Sequence, residues 1–322
     1  AQEAKEKTEE AEAKEELELA IGKLKIDYYN GDKSVFNKEF LIDNLNNNLK
    51  IGKVEKADIY YDTNEVNKEK IDEIDPIYRL NIKNENICFK ISEEGELQYL
   101  QKLYQMVQEN DANGISKQAG KWVSYPKSYT NQSKDYDMNG KLGGWRILND
   151  DGEYTKIVTA GIPARYEYNH NKTIVDDWNN FIKFEKQKFT WGISSAEQLN
   201  EENLSIGIRS INYQDIKEVS SNISYIPAYT NVAWGSEKWP SRLRGLIGCE
   251  NEYIVATWQN KEYDSLYYIT FTNDKYGMHL NSNGYLYYPG VRMVVYLNKN
   301  VYAYETEYFD GSSTKQPILI IL

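Results

Sequence analysis

Bulky apolar residues are missing from the first sixteen positions of the chain and then recur along one face. Leu17, Ala20, Ile21, Leu24 and Tyr28 follow one another at spacings of one to four residues, on one side of a helix, and residues 1–29 contain no Pro and no Gly before Gly22. Positions 1–16 are almost all Ala, Glu, Lys and Gln, good helix formers with nothing large to bury. The pattern predicts one long helix, solvated in its front half and docked on a domain in its back half. Isolated polar helices of this length are marginal in water, so the front half is expected to continue something or to touch something.

Asn30-Gly31-Asp32 stops that helix, because Asn and Gly tolerate the left-handed geometry of a helix end. A second helix is predicted over 34–50, with Phe36, Phe40, Leu41, Leu45 and Leu49 on one face, Ser34 as its cap and Ile51-Gly52-Lys53 closing it. Three β-like runs follow at 57–61, 77–82 and 87–91, with turns at Lys83-Asn84-Glu85-Asn86 and Glu93-Glu94-Gly95. Residues 97–110 read as a helix through Leu100, Leu103, Tyr104 and Val107, ended by Asp111-Ala112-Asn113-Gly114. A domain boundary is placed there, giving units 1–112 and 113–322. From Lys121 onward short aromatic strands alternate with Gly, Asn, Asp and Ser turns. Helical periods remain only at 176–184 and 212–219, and the apolar tail 317–322 reads as a final strand or as part of a segment continuing onward. The class is α+β.

Charge and composition narrow the chemistry. A formal charge of -11 without a Lys/Arg cluster excludes a nucleic-acid footprint. Twenty-eight Tyr against eight Phe suit extended structure and wet binding faces more than an oily interior. Cys88 and Cys249 have neither a CxxC spacing nor a nearby His and are expected to be buried free thiols. No apolar run is long enough to span a membrane. His170 and His279 are the only histidines, and no Gly-x-Ser-x-Gly elbow or phosphate-cradling Gly loop occurs, so nucleophilic catalysis lacks its parts. Asp135, Asp137 and Asn139, followed by Gly140, match the first half of a calcium loop. The carboxylate due at the twelfth position is Arg146, which repels a cation, so no cofactor is expected. Trp234, Trp239, Trp258, Tyr263, Tyr267, Tyr285, Tyr287 and Tyr288, interleaved with Asn, Asp and Ser, are the candidate ligand-binding set. Flat rings flanked by amides and carboxylates stack sugars or grip polar peptides. The alternative is that the three Trp fill a core poor in Phe.

Two resemblances give these elements a setting. The run Ala4-Lys5-Glu6-Lys7-Thr8-Glu9-Glu10-Ala11, then Ala13 to Ile21 and Asp27-Tyr28-Tyr29, resembles the segment after the hydrophobic N-terminus of type IV pilin-like proteins of Gram-positive bacteria. That family's cleavage site and apolar span are not in this sequence, and a chain opening at Ala1 is expected to be a trimmed or mature form. Gly143-Gly144-Trp145-Arg146-Ile147-Leu148, Ile254 to Trp258, Asn281-Ser282-Asn283-Gly284 and Gly290 to Leu297 are similar to a domain attached to surface proteins of gut Firmicutes, whose close resembles C-type-lectin-like and formylglycine-generating-enzyme folds. Met293 departs from the Pro usual there, Cys249 lacks the partner that formylglycine chemistry requires, and the Glu-Pro-Asn or Gln-Pro-Asp tripeptides of calcium lectins are absent.

The resemblances imply a pilin-like helix and small antiparallel sheet followed by a loop-rich C-type-lectin-like α+β domain. The expected role is that of a non-enzymatic, extracellular cell-surface or pilus-like subunit displaying an adhesive, glycan-binding C-terminal domain. Its partners would be like subunits through the N-terminal helix, and a glycan or a host or matrix protein. Nucleic acid is not among them, and a membrane is met only through a segment outside this chain. A pseudopilin of a type II-like secretion system and an extracellular carbohydrate-active enzyme are the alternatives.

Overall fold

The computed structural model describes residues 2–132, 142–165, 191–211, 215, 218–219, 246 and 290–322, together with the backbone of 232–234, 253–260, 265–272 and 275–281. The chain is a mixed α and β protein with a long N-terminal helix and several small, mainly antiparallel sheets.

Helix α1 (Gln2–Tyr29) buries Leu17, Ala20, Ile21 and Leu24, as the apolar spacing predicts. Docking begins earlier than expected, however, because Glu9 and Ala13 are also buried. Among the described residues before Glu9 none is buried, and the small Ala13 side chain lets the helix lie close to the sheet beneath it. That sheet has the order β1 (Lys53–Lys56), β3 (Tyr78–Ile82), β4 (Glu85–Ile91), β5 (Leu97–Tyr99). Its core combines α1 with Phe36, Leu41, Leu45, Val54, Leu80 and Phe89. Polar ties run along the seam: Lys83 to Glu12 at 3.1 Å, Tyr99 Oη donating to Glu18 at 2.9 Å and Lys25 to Glu96 at 3.1 Å.

The second helix is shorter than its stripe suggested. Helix α2 covers only Leu41–Asn48, because Asp32 and Asn37 accept the backbone N–H groups of Ser34 and Glu39 and fold 34–40 into turns. A short helix α3 (Lys68–Asp72) follows, its cap Asn67 accepting from the Glu69 N–H.

The helix expected over 97–110 is a correction. Leu97–Tyr99 is β5, paired with β4; Gln101–Lys102 is β6; and only Leu103–Val107 forms helix α4. The partner of β6 is β21 (Tyr302–Tyr304), two hundred residues away, and this long-range pairing overrides the local helical period. Strand β21 also pairs with β22 (Leu319–Ile321), the predicted final strand, and β22 pairs with β2 (Ile59–Tyr60). This sheet therefore takes strands from both sides of position 112.

A five-stranded sheet follows the order β14 (Ser205–Ser210), β20 (Met293–Leu297), β11 (Thr155–Thr159), β10 (Trp145–Asp150), β7 (Trp122–Val123). Beside it β8 (Tyr129–Thr130) pairs with β9 (Leu142–Gly143). The Gly-Gly-Trp-Arg motif is explained by packing here. A Cβ on Gly143 would sit inside the Tyr129 ring and one on Gly144 would press on Trp122. Trp145 is buried between Tyr125 and Tyr129, its Nε1 donating to the Lys127 carbonyl at 2.7 Å. Arg146 lies over Trp122, 4.1 Å from the ring centre. A seven-stranded sheet has the order β13 (Trp191–Gly192), β12 (Ala164–Arg165), β19 (Gly290–Val291), β16 (Tyr253–Asn260), β17 (Ser265–Thr272), β18 (Lys275–Asn281), β15 (Val232–Trp234). Only its β16–β19 pair is parallel. The helix expected at 176–184 lies outside the described residues, and of that at 212–219 only Asp215, Glu218 and Val219 are described.

Candidate functional site

Among the described residues, three places hold groups able to act on something outside the fold, or chemistry the fold itself does not need. The first is the outer face of α1. Leu19, Ile26 and Tyr29 are 53 %, 62 % and 72 % exposed, and with Gly22 they form a line at spacings of three, four and three. Gly22 sits mid-helix, where Gly costs about 1 kcal/mol relative to Ala. A Cβ there would meet nothing within 4 Å, so no contact among the described residues requires glycine.

The second is a cleft of about 400 Å³ beneath the first turns of α1, walled by Tyr104, Tyr154 and Lys299 and floored by Glu85 and Lys102. Lys102 projects from the end of β6 and is 6 % exposed. Its Nζ lies 3.1 Å from Glu85 and 3.6 Å from Glu10. Burial raises the Glu10 carboxyl, but Lys14 and Lys102 more than offset it and hold it below its ordinary range. A glycosidase-type general acid needs a carboxyl shifted the other way, so this pair is suited to holding α1 down rather than to proton donation.

The third is a buried ionic network on one face of the five-stranded sheet. Lys156, 3 % exposed, contacts Glu218 at 2.8 Å and Asp215 at 3.3 Å, while Arg209 grips Asp215 through two bonds of 2.6 and 2.7 Å. Burial works against the Arg209 cation, but Asp215 and Tyr296 raise its pKa above the ordinary guanidinium range. On the other end of the same sheet Arg292, fully buried, donates to the carbonyls of Thr159 and Leu246 at 2.8 and 2.5 Å. The Arg of the Gly-Val-Arg motif thus serves as a backbone staple.

No family model, curated protein or solved structure matches the chain. The reading of function consequently rests on its own geometry.

The sequence-predicted aromatic set is only partly placed. Trp258, Tyr267 and Trp234 fall on β16, β17 and β15 of one sheet, with Trp258 opposite Leu266, Tyr267 opposite Leu280 and Trp234 opposite Tyr276. Trp239, Tyr263, Tyr285, Tyr287 and Tyr288 lie outside the described residues, as do Asp135, Asp137, Asn139, His170 and Cys249. His279 falls on β18, opposite Tyr268. Among the described residues no cluster of three or more His, Cys, Asp or Glu is placed to hold a metal, and no helix is long and apolar enough to cross a membrane. Cys88 is a buried free thiol. Lys102, Lys156 and Arg209 were not singled out from sequence. The one available signal was a cation inside an apolar strand run, as in Lys156-Ile157-Val158, and that signal names no partner.

Proposed function

We propose that the chain is a non-enzymatic, pilin-like subunit of an extracellular surface assembly, packed against its neighbours through α1 and displaying the region beyond about residue 112 as a C-type-lectin-like adhesive head. The observation that carries this reading is the exposed line Leu19, Gly22, Ile26, Tyr29 on a helix whose opposite face is docked. Its occupant is α1 of a second copy. Displaced by seven residues, about 10 Å at roughly 1.5 Å per residue, a parallel neighbour sets Ile26 against Leu19 and Tyr29 against Gly22. Glycine then has a purpose, since its missing side chain receives a ring. The aromatic strands β15 to β17 are the proposed glycan-reading face, and their contribution is independent of the α1 contact.

Sedimentation of the full chain over a range of concentrations tests the assembly step. Association is expected, and Ile26→Glu should abolish it without loss of helix. Gly22→Ala should weaken it while stabilising the monomer by about 0.5–1 kcal/mol. A monomer at every concentration, or association indifferent to Ile26→Glu, would refute the packing. A glycan array of the full chain, repeated with chelator, tests the head: reproducible binding that survives chelation is expected, and binding to no glycan removes the sugar-reading role.

A further inference from the structure

Asn149 and Lys156 face each other across the β10–β11 ladder, and both side chains are buried, at 8 % and 3 % exposure. Glu218 joins them. Its Oε2 accepts from Lys156 Nζ at 2.8 Å and also from Asn149 Nδ2. An amine and a carboxamide, both buried, are therefore held at one carboxylate oxygen. The Asn149 carbonyl oxygen, Oδ1, is buried and has no hydrogen-bond partner among the described residues, which folded proteins rarely leave standing without a reason. Asp215 also faces Lys156, but it is committed as an anion to the Arg209 fork. Glu218 is the carboxylate that touches both side chains.

We propose that Lys156 and Asn149 join in an intramolecular amide bond, with Glu218 carrying the protons. Burial disfavours the Lys156 cation, and Asp215 and Glu218 more than offset that, so the amine begins protonated. Glu218 first takes one proton from Nζ across their 2.8 Å contact. The freed amine adds to Cγ of Asn149, forming the new C–N bond. Glu218 passes its proton to Nδ2, the Cγ–Nδ2 bond breaks, and ammonia departs with the second proton released from Nζ, as ammonium. One ammonium and one carboxamide thus become one secondary amide and one ammonium ion. Nothing is oxidised or reduced, and Glu218 ends as it began. Gathering the amine and the carboxamide on one Glu218 oxygen, across a single strand pair, replaces an encounter in solution by a unimolecular step, the main requirement of a reaction with no cofactor. The product exchanges a buried cation for a neutral group, and the remaining negative charge falls on Glu218, whose side chain is 29 % exposed.

Intact-mass measurement on the full chain, denatured after purification in the folded state, is the test. The expected mass is lower than that of the sequence by one ammonia, and tandem spectra of a digest should show a branched peptide joining residues 149 and 156. Glu218→Gln, checked for retained fold by circular dichroism, should keep the full mass. The wild-type result decides the matter even if that variant fails to fold. Full sequence mass for the folded wild type would overturn the proposal, as would ammonia lost at another asparagine, or water lost between Lys156 and Asp215.

Discussion

Replacing Lys102 by Met should cost this protein a large share of its stability. The side chain is almost wholly buried, with its ammonium 3.1 Å from Glu85, itself 8 % exposed, and 3.6 Å from Glu10. At an effective dielectric of about 20, the Glu85 contact alone is worth roughly 5 kcal/mol of gross attraction. Desolvation cancels much of that while the pair is intact. Removing one partner leaves the other charge buried, at about 3–5 kcal/mol. Met keeps most of the aliphatic stem, so the loss reports charge rather than packing. Urea unfolding at pH 7, followed by circular dichroism, should show this as a lower midpoint with an unchanged slope. Lys102→Met combined with Glu85→Gln should recover part of it. The sign with pH is fixed. Glu10 is held below its ordinary value in the folded parent, so its contribution is present above the unfolded carboxyl range and fades as pH falls through the folded value. The gap between parent and variant should therefore narrow as pH falls below the ordinary carboxyl range. A loss below about 1 kcal/mol at pH 7, well under the 3–5 kcal/mol expected for a broken buried pair, would refute the argument, as would a gap unchanged in acid.

Two further outcomes are expected. Burial pushes the Cys88 thiol up to about 12, so native protein at pH 8 should resist alkylation at the Cys88 peptide while urea-unfolded protein is labelled promptly; equal labelling rates would contradict its burial. Gly95 has φ +84° and a Cβ there would lie 2.5 Å from the Phe36 ring, so Gly95→Ala should destabilise by about 1–3 kcal/mol, read as a lower melting temperature, and an unchanged melting temperature would count against the turn geometry.

What could be read from sequence follows the range over which its determinants act. The stripe of α1 and the β3–β4 hairpin depend on neighbours a few residues apart, and both formed where periodicity put them. The stretch 97–102 did not, because a helical period running on into Leu103–Val107 suits it as well as a strand edge does. The choice is made by Phe89 on the neighbouring strand and by Tyr302, far along the chain. The early docking of α1 at Glu9 escaped notice for a related reason: an Ala at a close crossing and a Glu beside a Lys look like solvated helix until the opposing surface is known. Buried cations are the least legible. Lys102, Lys156 and Arg209 are ordinary letters in the sequence, and only the arrival of Glu85, Glu218 and Asp215 from other elements makes burial tolerable.

The last strand has a consequence for how the molecule is made. Because β22 lies between β2 and β21, Ile59 and Tyr60 must wait for Leu319–Ile321 before their sheet can close. A ribosome or an export channel releases these residues long after Ile59 and Tyr60. Until then the core around Ala57, Ile77 and Cys88 lacks Leu319 and Ile321 to cover it. Passage of β22 through a pore would thus come before its sheet can close, and deleting Leu319–Ile321 should leave the protein open to proteolysis along its whole length.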